Sequence, residues 1–268
     1  MIREPAVAGT FYTANPVTLR REVEKYLHEE RGRKHSAIGI VSPHAGYMYS
    51  GHVAGAVFSK VEVPKKLIIL CPNHTGLGAW ASINASGAWR TPLGDAPIDE
   101  SLAKRLMALA PEIEEDQLAH RREHALEVQL PFVQSLQPEF SFVPLCLSHF
   151  SFGECENLGN ALAKLIQESE AEILIVASSD MNHYENQERT LAKDERAIEC
   201  ILNLDPQSLY ERIHQEDISM CGIIPTTSML IAAKQLGAKK AELIKHATSG
   251  DITGDYSGVV GYAGVVVR

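Results

Sequence analysis

The sequence predicts an α/β fold: one domain over residues 1–268, with a central mixed, largely parallel sheet flanked by helices. Three observations predict it. Short runs dense in Ile, Val and Leu recur along the chain, and continuous apolar runs of that length mark strands buried on both faces. Amphipathic segments of helical length separate most of them, the alternation expected of a sheet covered by helices. No repeat, low-complexity tract or linker rich in Pro, Gly or Ser divides the 268 residues, so nothing marks a domain boundary.

In chain order, residues 37–42 read as the first buried strand, which runs into "PHAGYMYSG". Gly46 and Gly51 permit a tight turn there, and a helix is expected over 51–60. The run "KLIILCP" makes 66–72 the second strand. The stretch "AWASINASGAWRTPLG" has short alternating strands around Gly87 and predicts a hairpin projecting from the main sheet. Periodic apolar positions then predict helices over 101–109 and 123–136. Strands are expected over 140–147 and 172–178, with a helix over 155–168 between them. Helices over 189–204 and 226–236 and strands over 241–246 and 258–267 complete the pattern.

Composition narrows the partners. Hydrophobic residues are 45% and charged residues 22% of the chain, enough apolar material for a sizeable core. A net charge of -9 repels phosphate backbones and anionic lipids, so neither nucleic acid nor membrane is an expected partner. The segment "MIREPAVAGTFY" is not a basic region followed by an apolar core, and no apolar run approaches the ~18 residues of a membrane span, so a cytoplasmic protein is expected. Five cysteines (Cys71, Cys146, Cys155, Cys200 and Cys221) include no CxxC pair, which argues against a disulfide framework or zinc knuckle.

In open α/β sheets ligands bind beyond the carboxyl ends of the strands, where loops diverge. Three strands end in histidine: "VSPHAG" in His44, "CPNH" in His74 and "SSDMNHY" in His183. A single such histidine is commonly structural, but three converge on one crevice if their strands adjoin, and neutral imidazoles together suit a transition metal. Asp180 could be a ligand, a partner of one or a proton acceptor. Tyr47 and Tyr49 could line the pocket with ring faces and phenol donors.

Two further groups stand out. In "AHRREHALEVQLPF", His120, His124 and Glu127 share one face if the segment is helical, aiming His124 and Glu127 at the pocket, whereas Glu123 lies off that face. The spacing differs from HExxH, and the leucines of the segment make it packing material as well. Cys221 precedes the helix whose first turn holds Pro225, where the helix dipole favours a thiolate; it reads either as a metal ligand or nucleophile or as a small buried hydrophobe. No GxGxxG, P-loop or GxSxG motif is present. The serines beside Asp180 and His183 allow a serine hydrolase reading, but their crowding into one loop does not match the nucleophile elbow.

Taken together, "EPAVAGTFY", "SPHAGYMYSG", "CPNH", "EHALEVQLPF", "SSDMNHY" and "MCG" resemble the Memo family, known in bacteria and archaea as the B component of the AmmeMemoRadiSam system. The resemblance covers nearly the whole chain in order. It implies a fold similar to the LigB-like class III extradiol dioxygenases, in which two histidines and a glutamate hold iron and a further histidine is the acid/base. By that resemblance His44 and His74 match the histidine ligands, His183 the acid/base, and Cys221 the position of the glutamate. A thiolate softens the site, so one transition metal is expected, with Fe(II) or Cu(I) favoured and Zn(II) admitted. The implied activity is a metal-dependent redox reaction, similar to a dioxygenase, on an unknown small molecule. Two alternatives are a pocket that binds a peptide or partner, and a metal-dependent hydrolase with Asp180 or His183 as base. The resemblance also implies radical SAM and AMMECR-like proteins as partners.

Overall fold

The elements of a computed structural model, which describes residues 1–29 and 32–268, begin and end where local chemistry dictates. After β1 (Ile2–Arg3), α1 (Pro16–Glu29) starts where the Asn15 side chain accepts the amides of Val17 and Thr18, a side-chain cap on groups the helix leaves unpaired. The apolar run before His44 forms β2 (Gly39–Ser42), followed at once by α2 (Tyr47–Ser59). Next come β3 (Lys66–Pro72), β4 (Ala81–Ile83), β5 (Ala88–Thr91), β6 (Gly94–Pro97), α3 (Glu100–Leu109) and β7 (Glu114–Glu115). A 3₁₀ turn at Glu127–Gln129 leads into the short α4 (Leu130–Leu136) and then β8 (Ser141–Leu147). A capping box between Ser151 and Glu154 opens α5 (Phe152–Gln167). Then follow β9 (Ile173–Ser178), β10 (His183–Glu185), α6 (Gln187–Leu202), α7 (Pro206–Gln215) and α8 (Ile223–Gln235). The chain finishes with β11 (Ala241–Thr248), α9 (Gly250–Thr253) and β12 (Val259–Val267).

The main sheet has the order β10-β12-β2-β9-β3-β8-β4-β7, with β11 paired to β12. Its centre, β2-β9-β3-β8, is parallel throughout, while β12 pairs antiparallel with β2, β10 and β11, and β4 pairs antiparallel with β8. Successive side chains of a strand face opposite sides. Hence Ile68 and Leu70 of β3 join one buried cluster with Leu158 and Leu162 of α5 and Leu230 of α8. Leu67, Ile69 and Cys71 join another with Leu19 of α1, Phe58 of α2 and Phe132 of α4. The architecture is a single α/β domain with a large mixed sheet between helical layers.

Three expectations are corrected. Residues around Gly87 do not form a hairpin: β4 pairs with β8 in the main sheet, and the hairpin is one turn later, β5 with β6. Gly87 has φ +92°, and a Cβ there would collide with the Met1 backbone, so it turns the chain away from the main sheet. Residues 123–126 are not helical. The carbonyls of His120 and Glu123 accept from the Arg3 guanidinium at 2.7 Å each, and the Glu123 carboxylate takes the amides of His124 and Ala125. Helical hydrogen bonds have been replaced by side-chain partners. Finally, α2 begins at Tyr47 rather than residue 51, which turns the Tyr47 ring into the core against Phe132 (5.1 Å) and not into a pocket. Its hydroxyl donates to the Val128 carbonyl at 2.6 Å.

Candidate functional site

β2, β9 and β3 are neighbours in that order and parallel, so their carboxyl ends open on one space. A cleft of about 600 Å³ lies there, lined by His44, His74, Asp180 and His183, together with His124 and Cys221. Sequence placed the residues at strand ends; the strand order brings them together.

His44 is buried, with Nδ1 2.9 Å from Ser178 Oγ. The Ser178 hydroxyl donates to the Ala125 carbonyl at 2.6 Å, which uses its one hydrogen. It therefore accepts from His44 Nδ1–H and from Gln129 Nε2 (2.9 Å), while Gln129 Oε1 accepts from Ser42. This network assigns the proton to Nδ1 and leaves the His44 Nε2 lone pair facing Cys221 Sγ at 3.1 Å. His74 is fixed by a different partner. The Glu123 carboxylate accepts its Nδ1–H at 2.9 Å and its backbone amide at 2.6 Å, so Nε2 is again the uncommitted nitrogen.

Cys221 reaches the cleft from the turn before α8. Gly222 must pack against the Ser178 carbonyl and the Ser179 side chain, where any Cβ would collide. That close approach places Cys221 Sγ to accept the Asp180 amide at 3.3 Å. Ligand atoms of His44, His74 and Cys221 all lie within 4.8 Å of one another. His74, Glu123 and His124 form a second such group. There, however, the carboxylate already accepts the amides of His74, His124 and Ala125 and the His74 ring, so an ion would compete with four hydrogen bonds for it.

The other candidates surround this centre. Asp180 Oδ1 accepts the His44 amide at 2.7 Å, and burial pushes its carboxyl up to about 7 against the opposing pull of that amide. His183 donates its backbone amide to Ser219 Oγ and its Nδ1–H to the Ser219 carbonyl, both at 2.7 Å, so Nε2 remains an acceptor. His124 stacks on His74 with ring centroids 4.7 Å apart and touches Phe11 at 4.6 Å. Burial lowers the pKa values of His44, His124 and His183, that of His124 to about 4. Burial likewise pushes the Cys221 thiol well up, opposing the thiolate expected beside a helix N-terminus.

Glu127 is not in the cleft. It is fully buried, bonded to Arg3 Nη1 (2.5 Å), Tyr12 Oη (2.6 Å) and the amides of Ala6 and Val7. It thereby ties down the N-terminal segment that carries Phe11 into the cleft wall. His120 also lies elsewhere, beneath Trp89 at 5.6 Å. Sequence reasoning missed Glu123, Gln129, Ser219, Phe11 and Tyr262, and it weighed Ser178 as a hydrolase nucleophile, whereas its hydroxyl orients His44. Of the missed residues only Glu123 carried a readable signal, a carboxylate adjoining His124, and helical periodicity directed attention away from it.

The Memo-like protein family model matches residues 3–266. A MEMO1 family protein of Methanopyrus kandleri is 41% identical, with alignment over 100% of this chain and 99% of its own length. One from Sulfolobus acidocaldarius is 42% identical over 99% of each chain, and one from Thermotoga petrophila 42% over 100% of each. Every motif that forms the cleft falls inside the matched span, and the chain belongs to the Memo-like family.

Proposed function

We propose that His44, His74 and Cys221 hold one transition metal ion and that the cleft performs metal-dependent redox chemistry on a small molecule. The observation that carries this reading is the fit of the donors: three ligand atoms within 4.8 Å of one another, with the second nitrogen of each imidazole already engaged by Ser178 or Glu123. A metal-ligating histidine characteristically donates its other N–H in this way. The His2Cys set favours Fe(II) or Cu(I) and admits Zn(II). When bound, the ion would supply a Lewis-acidic, redox-active centre.

The chain's own groups supply the rest. His183 offers Nε2 as proton acceptor, since Ser219 fixes its other nitrogen. Asp180, held at the end of β9 by the His44 amide, is a second group able to keep or release a proton. Phe11 and Tyr262 give the cleft two aromatic walls that bind apolar parts of a ligand and limit water. No Lys or Arg lines the cleft among the described residues, which weighs against the alternative of phosphopeptide recognition. The hydrolase alternative shares His183 as base and differs in product.

Anaerobic titration of the metal-free protein with Fe(II), Cu(I) and Zn(II) tests the reading. One ion per chain is expected, with at least 100-fold weaker binding in His44→Ala, His74→Ala and Cys221→Ser and little change in His183→Ala. Unchanged affinity in the first three would overturn it. Screening the loaded protein against esters and amides separates hydrolysis from redox chemistry.

A further inference from the structure

His74 takes its direction from the irregular segment between β7 and the 3₁₀ turn. The Glu123 carboxylate accepts its ring N–H and its backbone amide, and the His124 ring stacks on it. Residues 123–126 are not helical, so no helical ladder holds these two neighbours in place. The N-terminal segment does so instead. The Arg3 guanidinium is a planar fork, and it spans the stretch with three bonds: Nε to the His120 carbonyl and Nη2 to the Glu123 carbonyl, both at 2.7 Å, and Nη1 to the buried Glu127 carboxylate.

Arg3 is itself held. β1 pairs with β5 so that Arg3 stands opposite Trp89, and its guanidinium lies over the indole, 4.0 Å from the ring centroid. Trp89 is fully buried, and its Nε1 donates to Asn84 Oδ1 at 3.0 Å. The Glu127 carboxylate that matches the Arg3 charge also accepts the amides of Ala6 and Val7 and the Tyr12 hydroxyl. Phe11, in the same segment, lays its ring against His124 at 4.6 Å. The histidine on the far side of the cleft has no such dependence: His183 is fixed by Ser219, in the turn before α8.

We infer that Arg3 is a positioning residue of the proposed metal centre: by holding the carbonyls of His120 and Glu123 it sets the direction of the Glu123 carboxylate and, through it, the direction of His74 Nε2. This rests on the reading of His44, His74 and Cys221 as the donor set. It adds that one of the three donors is controlled by a side chain that never touches it, 120 positions from Glu123 in sequence. An ammonium is a compact point charge and does not reproduce the fork, so lysine is not equivalent at this position.

Two variants of the full chain test this. Arg3→Lys keeps a cation for Glu127 and gives up the fork. Leu162→Ala lowers stability from the other buried cluster, across the sheet from Ala125 and Leu126. In the metal-free proteins the ring ¹⁵N resonances of His74 should shift in Arg3→Lys and stay in Leu162→Ala, with those of His183 unmoved in both. Calorimetric titration with Zn(II), the redox-inert ion of the three, should show at least tenfold weaker binding in Arg3→Lys and unchanged binding in Leu162→Ala. A third measurement needs no substitution. Coupling between two sites is reciprocal, so saturating the parent chain with Zn(II) should slow amide hydrogen exchange at Ala6 and Val7, whose amides are bonded to Glu127, at least tenfold. An unmoved His74 spectrum, a His183 shift as large as that of His74, a Leu162→Ala variant that loses as much zinc affinity as Arg3→Lys, or unchanged exchange at Ala6 and Val7 overturns the assignment. A parent chain that binds no zinc overturns the donor set and Arg3's part in it; the His74 spectra keep that failure apart from one in which zinc binds and Arg3 does not matter.

Discussion

His44 and His74 leave the sheet two strands apart and turn their imidazoles to the same cleft, yet they are held by opposite chemistry. His44 rests on a neutral chain, Ser178 to Gln129 to Ser42, every member buried. His74 rests on Glu123, an ionised carboxylate buried completely and bonded to three backbone amides as well. A charge-assisted hydrogen bond to a carboxylate holds the imidazole's orientation more stiffly than one to a hydroxyl does. The difference teaches that the cleft is asymmetric before any ion arrives. One histidine is positioned by the sheet and a hydroxyl network, the other by an irregular segment whose shape depends on a charge.

Breaking the ionic side should have the larger effect. Glu123→Gln puts an amide NH2 among backbone donors, so a loss of about 3 kcal/mol is expected from hydrogen bonds to a charged group. A 10- to 100-fold loss of metal affinity should accompany it. Chemical denaturation and metal titration check the two parts; equal metal affinity in variant and parent would show that the carboxylate does not tune His74. Ser178→Ala removes the acceptor of His44 Nδ1–H and Gln129 together, and about 1–2 kcal/mol should be lost. Metal affinity should fall less than with Glu123→Gln. If the two variants rank the other way, the neutral network is the stronger constraint.

A pH series sharpens the same contrast. Hydrogen bonds from His74 and the backbone outweigh burial and hold the Glu123 carboxyl below its ordinary 4.5. Its contribution is therefore present above pH about 4.5 and is lost as pH falls through the lower folded value. Asp180 has the opposite sign, because burial raises it from 3.8 to about 7. Stability linked to it is full at acid pH and declines as pH rises across that interval. In the metal-free protein, Asp180→Asn should flatten the decline in unfolding free energy between about pH 4 and 7, measured by denaturant titration. An unchanged slope would show that Asp180 is ionised in the fold. The smallest effect is expected from Tyr12→Phe, which removes one of several donors to Glu127: about 0.5–1.5 kcal/mol, read as a modest drop in melting temperature.

Regular elements were legible in the sequence because their signals are local. The β3 and β9 runs stand out as apolar blocks, and the α5 and α6 segments carry helical periodicity. The strand-end histidines were legible for the same reason. Their meeting depended on β9 lying between β2 and β3, a fact of topology that no local pattern encodes. The misread stretch around His120 to Leu126 failed for a physical reason that can be named. Arg3, more than a hundred residues away in sequence, takes the carbonyls that a helix would need, and a periodic apolar pattern cannot report a distant competitor. Tyr47 failed through a boundary: four residues' difference in where α2 begins decides which way a ring points.

The contact between His44 and Cys221 spans 177 positions of sequence. During synthesis, His44 and His74 emerge long before the thiol that completes their set. A chain arrested anywhere before residue 221 lacks the third donor, however well its first strands have paired. Metal uptake by the proposed centre would therefore report that the late, carboxyl-terminal third has folded back onto the early strands. For this chain, the order of biosynthesis itself withholds the complete set until almost the last helix is made.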